Sequence, residues 1–433
     1  MTERAHGPAT APEPAGERSE PVTRHRGFRL LLAGAAASHA GTQIRLTVLP
    51  LMAVTTFHVS PFQSGLLTAA ETAAFLLIGL PAGVWADRYD RRRILIGVDL
   101  ARALVLLSLP VAALLDVLTL AQLYLVALAV GFGTVLFDVT HMSYVPRLVG
   151  RPRVVAAVTR LEAVEFTATA GGPVTAGLLV QFLAAPFTLF INAISYAVSA
   201  LFLGRIRGEG PDGPDPGPDA GRGTRRRLWP DIKAGLVLVL RDPVLRPLAL
   251  CGAVIQFFEA AWLGLQPLFL VREIGLSSGV YGVVLASGAV GGLVGAWLTN
   301  RLCLRFGTLR TLRLSLPAAA PLLLLPLADA GWLTALYGIG MFLGMGASAV
   351  YNVTQIGVRQ LACPDALLGR MNATMRFVMW GVMPFGGLLG GALGSWLGVR
   401  TALWICLAGL LLGALPVWCS TLRTRKDRDF AHD

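Results

Sequence analysis

Charge is what this chain has least of. Asp, Glu, Lys and Arg make up 14% of its 433 residues, hydrophobic residues make up 55%, and the mean hydropathy is +0.64. Soluble chains carry about a quarter charged residues, so this one cannot cover its apolar side chains with a water-facing surface. Lysine is nearly absent: only Lys233 and Lys426 occur, which leaves 35 arginines among the 37 basic residues. A P-loop needs Gly-Lys, but these lysines follow Ile232 and Arg425, so ATP hydrolysis by that device is excluded. The five cysteines (Cys251, Cys303, Cys363, Cys406 and Cys419) form no CxxC pair and no metal spacing, and no structural disulfide is expected. The six histidines are scattered, with neither HExxH nor G-x-S-x-G in the chain. No catalytic constellation is visible, so the sequence predicts no enzyme and neither a metal nor an organic cofactor.

The chain does have long apolar runs. A bilayer core about 30 Å thick takes roughly 20 apolar helical residues per crossing. Segments of that kind lie near 28–55, 62–85, 94–115, 119–142, 155–182 and 185–204, and again near 245–270, 278–299, 310–328, 332–356, 372–396 and 400–420. Runs of this length and apolarity are not the ten-residue alternating strands of a membrane barrel. The expected fold is therefore all-α, with twelve transmembrane helices in two six-helix repeats, at 28–204 and 244–420.

The loops between these segments divide the basic residues unevenly. One side of the membrane takes 31 of them, among them Arg88, Arg91, Arg92, Arg93, Arg225, Arg226, Arg227, Arg301 and Arg305; the other side takes Arg272 and Arg400. Positive charge concentrates on the cytoplasmic side, so both termini and the 205–243 loop are expected there, in a multi-pass protein of the plasma membrane. The net charge of +12 is then a topology signal whose partner is anionic lipid headgroups, not nucleic acid. Residues 1–27 read as a disordered tail, and 421–433 as a second cytoplasmic tail. The apolar run from Phe28 is too long for the core of a cleaved signal peptide. Residues 208–223 form a Pro/Gly/Asp linker, and Leu228 to Leu240 reads as a helix along the cytoplasmic membrane surface.

The halves repeat. Gly83-Val84-Trp85 matches Gly295-Ala296-Trp297 at an offset of 212, and each half carries an arginine-bearing loop between its second and third spans. Repeated halves with a substrate site at their interface are a common transporter plan.

The loop after the second span reads Gly83-Val84-Trp85-Ala86-Asp87-Arg88-Tyr89-Asp90-Arg91-Arg92-Arg93. It resembles motif A of the major facilitator superfamily, with a decayed copy from Gly295 to Arg305. The run ADRYDRRR, with Asp99 and Arg102 after it and Asn192-Ala193-Ile194-Ser195-Tyr196 in the sixth span, is most similar to the branch of enterobactin exporters and macrolide efflux proteins. Asp90 stands where the wider family usually has glycine. The arginine that many drug/proton antiporters place before Gly131 is missing, and Gly172 to Gly177 matches the antiporter motif only in part. The resemblance implies a monomeric secondary transporter that exports a small amphiphilic molecule (an antibiotic, another natural product or a siderophore). Alternating access would be driven by proton antiport. Import or uniport is the variant reading, and a receptor or enzyme without transport is the reading from another class.

Two groups of residues follow. Gly83, with Gly79 one turn earlier, offers a small face for close helix approach. Asp87 can accept at a neighbouring helix N-terminus, and Arg88 and Arg91 can pair with acids at nearby span ends, Asp138 and Glu162 being the candidates. Together they would latch the cytoplasmic side. Ionisable groups within spans cost several kcal/mol unless they face a cavity or a partner. Glu259 shares a helical face with Gln256, Trp262 and Gln266, which reads as a proton-titrating or substrate-contacting carboxylate. Glu71 lies on a face with Ser64 and Thr68, and Arg45 on one with Ser38 and Thr42, where it would bind an anionic group or pair with Glu71 or Glu259. Arg376, beside Trp380, and Glu165 complete the candidate cavity. Asp99 and Arg102, three residues apart, are expected to pair with each other. Ser348, Tyr351, Asn352 and Gln355 form a polar stripe, and Gly386, Gly390 and Gly394, with Gly387 and Gly391, have the spacing of close helix packing.

Overall fold

The computed structural model describes residues 25–79, 81–150, 153–206, 228–364 and 367–423. Among them are helices and no strands. In chain order these are α1 (Arg26–Thr55), α2 (Pro61–Ile78), α3 (Pro81–Arg88), α4 (Arg91–Leu114), α5 (Leu120–Val149), α6 (Val154–Leu183), α7 (Ala185–Arg205) and α8 (Leu228–Arg241). Then follow α9 (Leu245–Leu263), α10 (Ser278–Phe306), α11 (Thr308–Ser315), α12 (Thr334–Ala362), α13 (Leu368–Trp380), α14 (Met383–Leu397), α15 (Val399–Leu412) and α16 (Leu415–Trp418). Most of the two tails (1–24 and 424–433) and most of the linker lie outside the described residues, while α1 already begins at Arg26, inside the stretch expected as tail.

Nine helical stretches among the described residues are long and apolar enough, by length and composition, to cross a bilayer, which leaves three of the twelve expected segments outside that set. The other three segments depart for visible reasons. In α1 the apolar run is interrupted by Ser38, His39, Thr42, Gln43 and Arg45. The second segment breaks after Ile78, because Pro81 has no N–H to continue the ladder and instead opens α3. The segment expected at 310–328 is α11 followed by a 3₁₀ stretch, Pro317–Leu327, with three prolines that deny it α-helical hydrogen bonds.

Helices before the linker pack mainly on one another: α1 against α6 and α7, α4 against α5 and α7, and α2 against α5. Those after it do the same, with α10 on α12, and α9 on α13, α14 and α15. The two sets meet chiefly along α2–α14 and α6–α10. These seams lie at the helix ends remote from the arginine-rich loops, and they are built from glycine. A Cβ on Gly65 would overlap the carbonyl oxygen of Gly387 and come within 2.8 Å of the Gly391 Cα. A Cβ on Gly177 or Gly282 would likewise strike backbone, the carbonyl oxygens of Ser278 and Pro173 respectively. Only hydrogen at these positions lets the helix backbones approach so closely. Polar bonds finish the seal: Ser64 Oγ donates to the Gly264 carbonyl at 2.6 Å, the Phe62 N–H to Ser395 Oγ at 3.1 Å, and Arg272 Nη1 to the Val59 carbonyl at 2.9 Å. Gly386 and Gly390, on the other face of α14, abut the carbonyl oxygens of Phe257 and Ala261 of α9. One helix thus presents a small-residue face to each of two partners, as its spacing predicts.

Inside the first set, Arg102 pairs with Asp99 as expected, donates to Ser38 Oγ at 3.2 Å, and lies over the rings of Phe137 and Tyr196 at 4.6 and 4.3 Å. The pair is fully buried. Its place among aromatic faces makes it a structural tie between α4, α1, α5 and α7.

Candidate functional site

A cavity of about 350 Å³ lies at mid-depth, walled chiefly by α9, α10 and α12 and closed on the other side by α1 and α6. Glu259 and Gln256 of α9 line it, with Gln43 of α1, Thr169 of α6, and Ser348, Tyr351 and Asn352 of α12. The apolar part of the wall includes Phe166, Met341, Met345 and Met379. Glu259 sits fourteen residues into α9, about 21 Å along the helix at 1.5 Å per residue. It is half-buried and has no ion pair or hydrogen bond among the described residues. Gln256 reaches only the Met383 sulfur, Nε2 to Sδ at 3.8 Å. On the opposite wall Gln43 Nε2 donates to Thr169 Oγ1 at 2.9 Å, joining α1 to α6 across the floor.

The cavity leaves out six of the eight residues expected in it. Arg45 and Glu71 are partners, Nη1 to Oε1 at 2.6 Å, buried within the first set and away from the lumen. Arg45 therefore neutralises Glu71 and not Glu259. The polar stripe of α9 is cut short because the helix ends at Leu263, where Gly264 contacts α2, and a π-helical stretch (Leu268–Glu273) then changes the register. Trp262 consequently packs into the apolar core, and Gln266 is buried with Nε2 donating to the Tyr337 hydroxyl at 2.9 Å. Arg376 is exposed with its guanidinium over the Trp380 ring at 4.5 Å. Glu165 is exposed on α6, one residue before Phe166 of the wall.

Of the residues expected to form the latch, the described ones are placed as follows. Among the described residues a Cβ on Gly83 would meet nothing within 4 Å, so Gly83 marks no close helix approach. The close contact between α2 and α5 comes instead at Gly131, whose Cβ would lie 2.7 Å from the Glu71 carbonyl oxygen. The side chains of Asp87 and Arg88 lie outside the described residues. Arg92 caps the C-terminal end of α7, with Nε to the Leu203 carbonyl at 3.0 Å and Nη2 to that of Gly204 at 2.5 Å. Asp90 caps α4 by accepting from the Arg92 and Arg93 N–H groups at 2.9 and 3.4 Å, which accounts for a carboxylate where the family has glycine. Among the described residues Asp138, on α5, forms no ion pair with Arg92 or Arg93. Glu162 is half-buried on α6, near Glu165. Arg91 is engaged by another group.

Sequence reasoning placed Met379 on a polar face of its span but missed Gln43, Met341 and Met345. Gln43 falls off the Ser38–Thr42–Arg45 face, although a glutamine inside an apolar span was a signal in itself. Met341 and Met345, one turn apart on α12, carry no polarity to distinguish them from core.

The buried Arg45–Glu71 pair supports a stability prediction. Arg45→Ala leaves an uncompensated carboxylate and should cost about 3–5 kcal/mol, whereas a double exchange for apolar residues of similar volume should be close to neutral. Thermal unfolding of the purified variants in detergent reads both.

A central cavity between two helical sets, sealed at one end and lined by a carboxylate with no partner among the described residues, suits a membrane transporter. A family model described as transmembrane secretion effector matches residues 20–432, and the chain belongs to that family of the major facilitator superfamily. It is 27% identical over 416 residues to the multidrug efflux pump Tap of Mycolicibacterium fortuitum, covering 93% of this chain and 97% of that protein. It is 26% identical over 316 residues to the enterobactin exporter EntS of Escherichia coli O1:K1, covering 72% of each. Among solved structures it resembles a bacterial homologue of the iron transporter ferroportin in its inward-facing state, with a TM-score of 0.70, 18% identity, and 92% and 99% of the two chains covered.

Proposed function

We propose that the chain exports a small amphiphilic molecule by proton antiport, with the cavity exposed alternately to the two sides of the membrane. The observation that carries this reading is Glu259: a carboxylate in a largely apolar mid-membrane wall, open to the lumen and without a counter-charge among the described residues. Such a group is costly unless it serves the pathway. A coupling carboxylate must take up and release a proton within the working pH range, and Glu259 alone among the lining residues is an acid. Methionine suits a pocket for varied apolar shapes, because the unbranched thioether adapts its packing. The names of the relatives agree with export.

In this reading the arginine-rich loops face the cytoplasm, both termini lie there, and anionic lipids meet those loops in the plasma membrane. The three segments outside the nine complete twelve crossings, in six-helix halves at 28–204 and 244–420. The structure is then the state closed outward by the glycine seams. Asp87, Arg88, Arg91, Asp138 and Glu162 would engage when the cytoplasmic side closes. The protein works as a monomer, and the proton gradient, not a cofactor, supplies the energy.

Everted vesicles test the proposal. With an acidified lumen followed by a pH-sensitive dye, a panel of antibiotics and siderophores is added. A transported compound should discharge the gradient in vesicles holding the protein and not in empty ones. Saturable binding of a compound that causes neither proton flux nor countertransport would favour a receptor and overturn the proposal.

A further inference from the structure

We infer that the cargo carries a positive charge: the cavity is built for a lipophilic cation and against anions such as a catecholate siderophore. The inference rests on the transport reading above and sharpens its substrate class. The sequence places charges of both signs in the candidate cavity, but the structure removes the positive ones. Arg45 is consumed by Glu71 and Arg376 lies on Trp380, both off the lining. Among the described residues that line the cavity there is no arginine, lysine or histidine, and Glu259 is the sole group with a formal charge.

One arginine stands behind the wall. Arg359 of α12 approaches the Met379 sulfur at 3.9 Å, is buried and is not part of the lining. The neutral polar groups leave little to oppose a cation. The Tyr351 hydroxyl is engaged with the Cys251 sulfur at 3.1 Å, and Gln43 spends an amide hydrogen on Thr169. The remaining wall offers an aromatic face at Phe166 and the polarisable sulfurs of Met341, Met345 and Met379. Aromatic faces attract cations, and thioethers are soft, adaptable contacts for an apolar body. An anionic ligand would instead meet an acid in a low-dielectric wall with no compensating cation, where like charges repel strongly.

Tetraphenylphosphonium and tetraphenylborate share one shape and differ in the sign of charge, so they separate charge from size. Equilibrium dialysis of each against the purified wild-type protein in detergent, without gradient or flux, measures the selectivity. The cation should bind saturably and at least about thirtyfold more tightly than the anion. Glu259→Gln should lose most of that preference and Glu259→Asp should keep it. Equal binding of the two ions, or a preference unchanged in Glu259→Gln, would overturn the inference. Because binding needs no transport, failure here leaves the export proposal standing. Cation binding without any flux in everted vesicles would refute export and leave the charge assignment intact.

Discussion

Glu259→Gln should uncouple transport from the proton gradient while leaving the protein folded. In proteoliposomes with an imposed pH gradient, gradient-driven accumulation of a transported compound should fall by about 100-fold or more, or roughly 2.7 kcal/mol of lost coupling. Exchange of labelled for unlabelled compound at equal pH on both sides should persist at saturating concentration, with a weaker apparent affinity for a cationic compound, because it needs the cavity and the rocking motion but no proton. The substitution is nearly isosteric and Glu259 has no partner among the described residues, so nothing is left unpaired in the fold. Thermal unfolding should therefore stay close to wild type. Undiminished, pH-dependent accumulation by Glu259→Gln would remove Glu259 from the coupling role.

Gly282→Val should have the second largest effect, through conformation. The Gly282 hydrogen faces the carbonyl oxygen of Pro173, and the Gly177 Cα is within 3.2 Å of where a Cβ would stand. Both neighbours are backbone, so α6 and α10 must separate to admit the new side chain. Overpacking of this kind costs about 1–3 kcal/mol, and the cost falls only on the state in which the seam is closed. The population should move roughly 5- to 150-fold towards the conformation open at the glycine end. Transport should fall, and a cysteine at Ser278 should become more reactive to a membrane-impermeant maleimide. Gly65→Val tests the α2–α14 seam in the same way. Transport at wild-type rate in both variants would show that the seams do not need to close.

The fold class and the Gln256–Glu259 face that lines the cavity were legible in the sequence because both rest on local periodicity. Apolar run length gave the all-α membrane class, helical spacing put Gln256 and Glu259 on one face, and the four-residue glycine spacing of α14 anticipated its packing. Asp99 and Arg102 were legible for the same reason, being neighbours on one helix turn. What the sequence left open depends on contacts between distant segments. Arg45 had two candidate acids, and only the packing of α1 on α2 selects Glu71. The stripe from Gln256 to Gln266 assumed an unbroken helix, whereas Gly264 and Pro267 end it where α2 crosses. Average apolarity also did not reveal that the prolines turn 317–327 into a 3₁₀ stretch. Gln43 and Thr169 meet only because α6 lies across α1, and neither residue signals the other.

The central claim is that one cavity is exposed to one side and then the other, with Glu259 setting the response to pH. Spin-label distances across each end test it most directly, in a background with the five cysteines replaced. One pair at Val117 and Trp332 spans the glycine-sealed end, and another at Val155 and Leu361 spans the arginine-rich end; all four positions are exposed. On changing pH the two distances should move in opposite senses, one lengthening as the other shortens, and in Glu259→Gln they should stay fixed. Distances that change together, or a pH response that persists in Glu259→Gln, would contradict it.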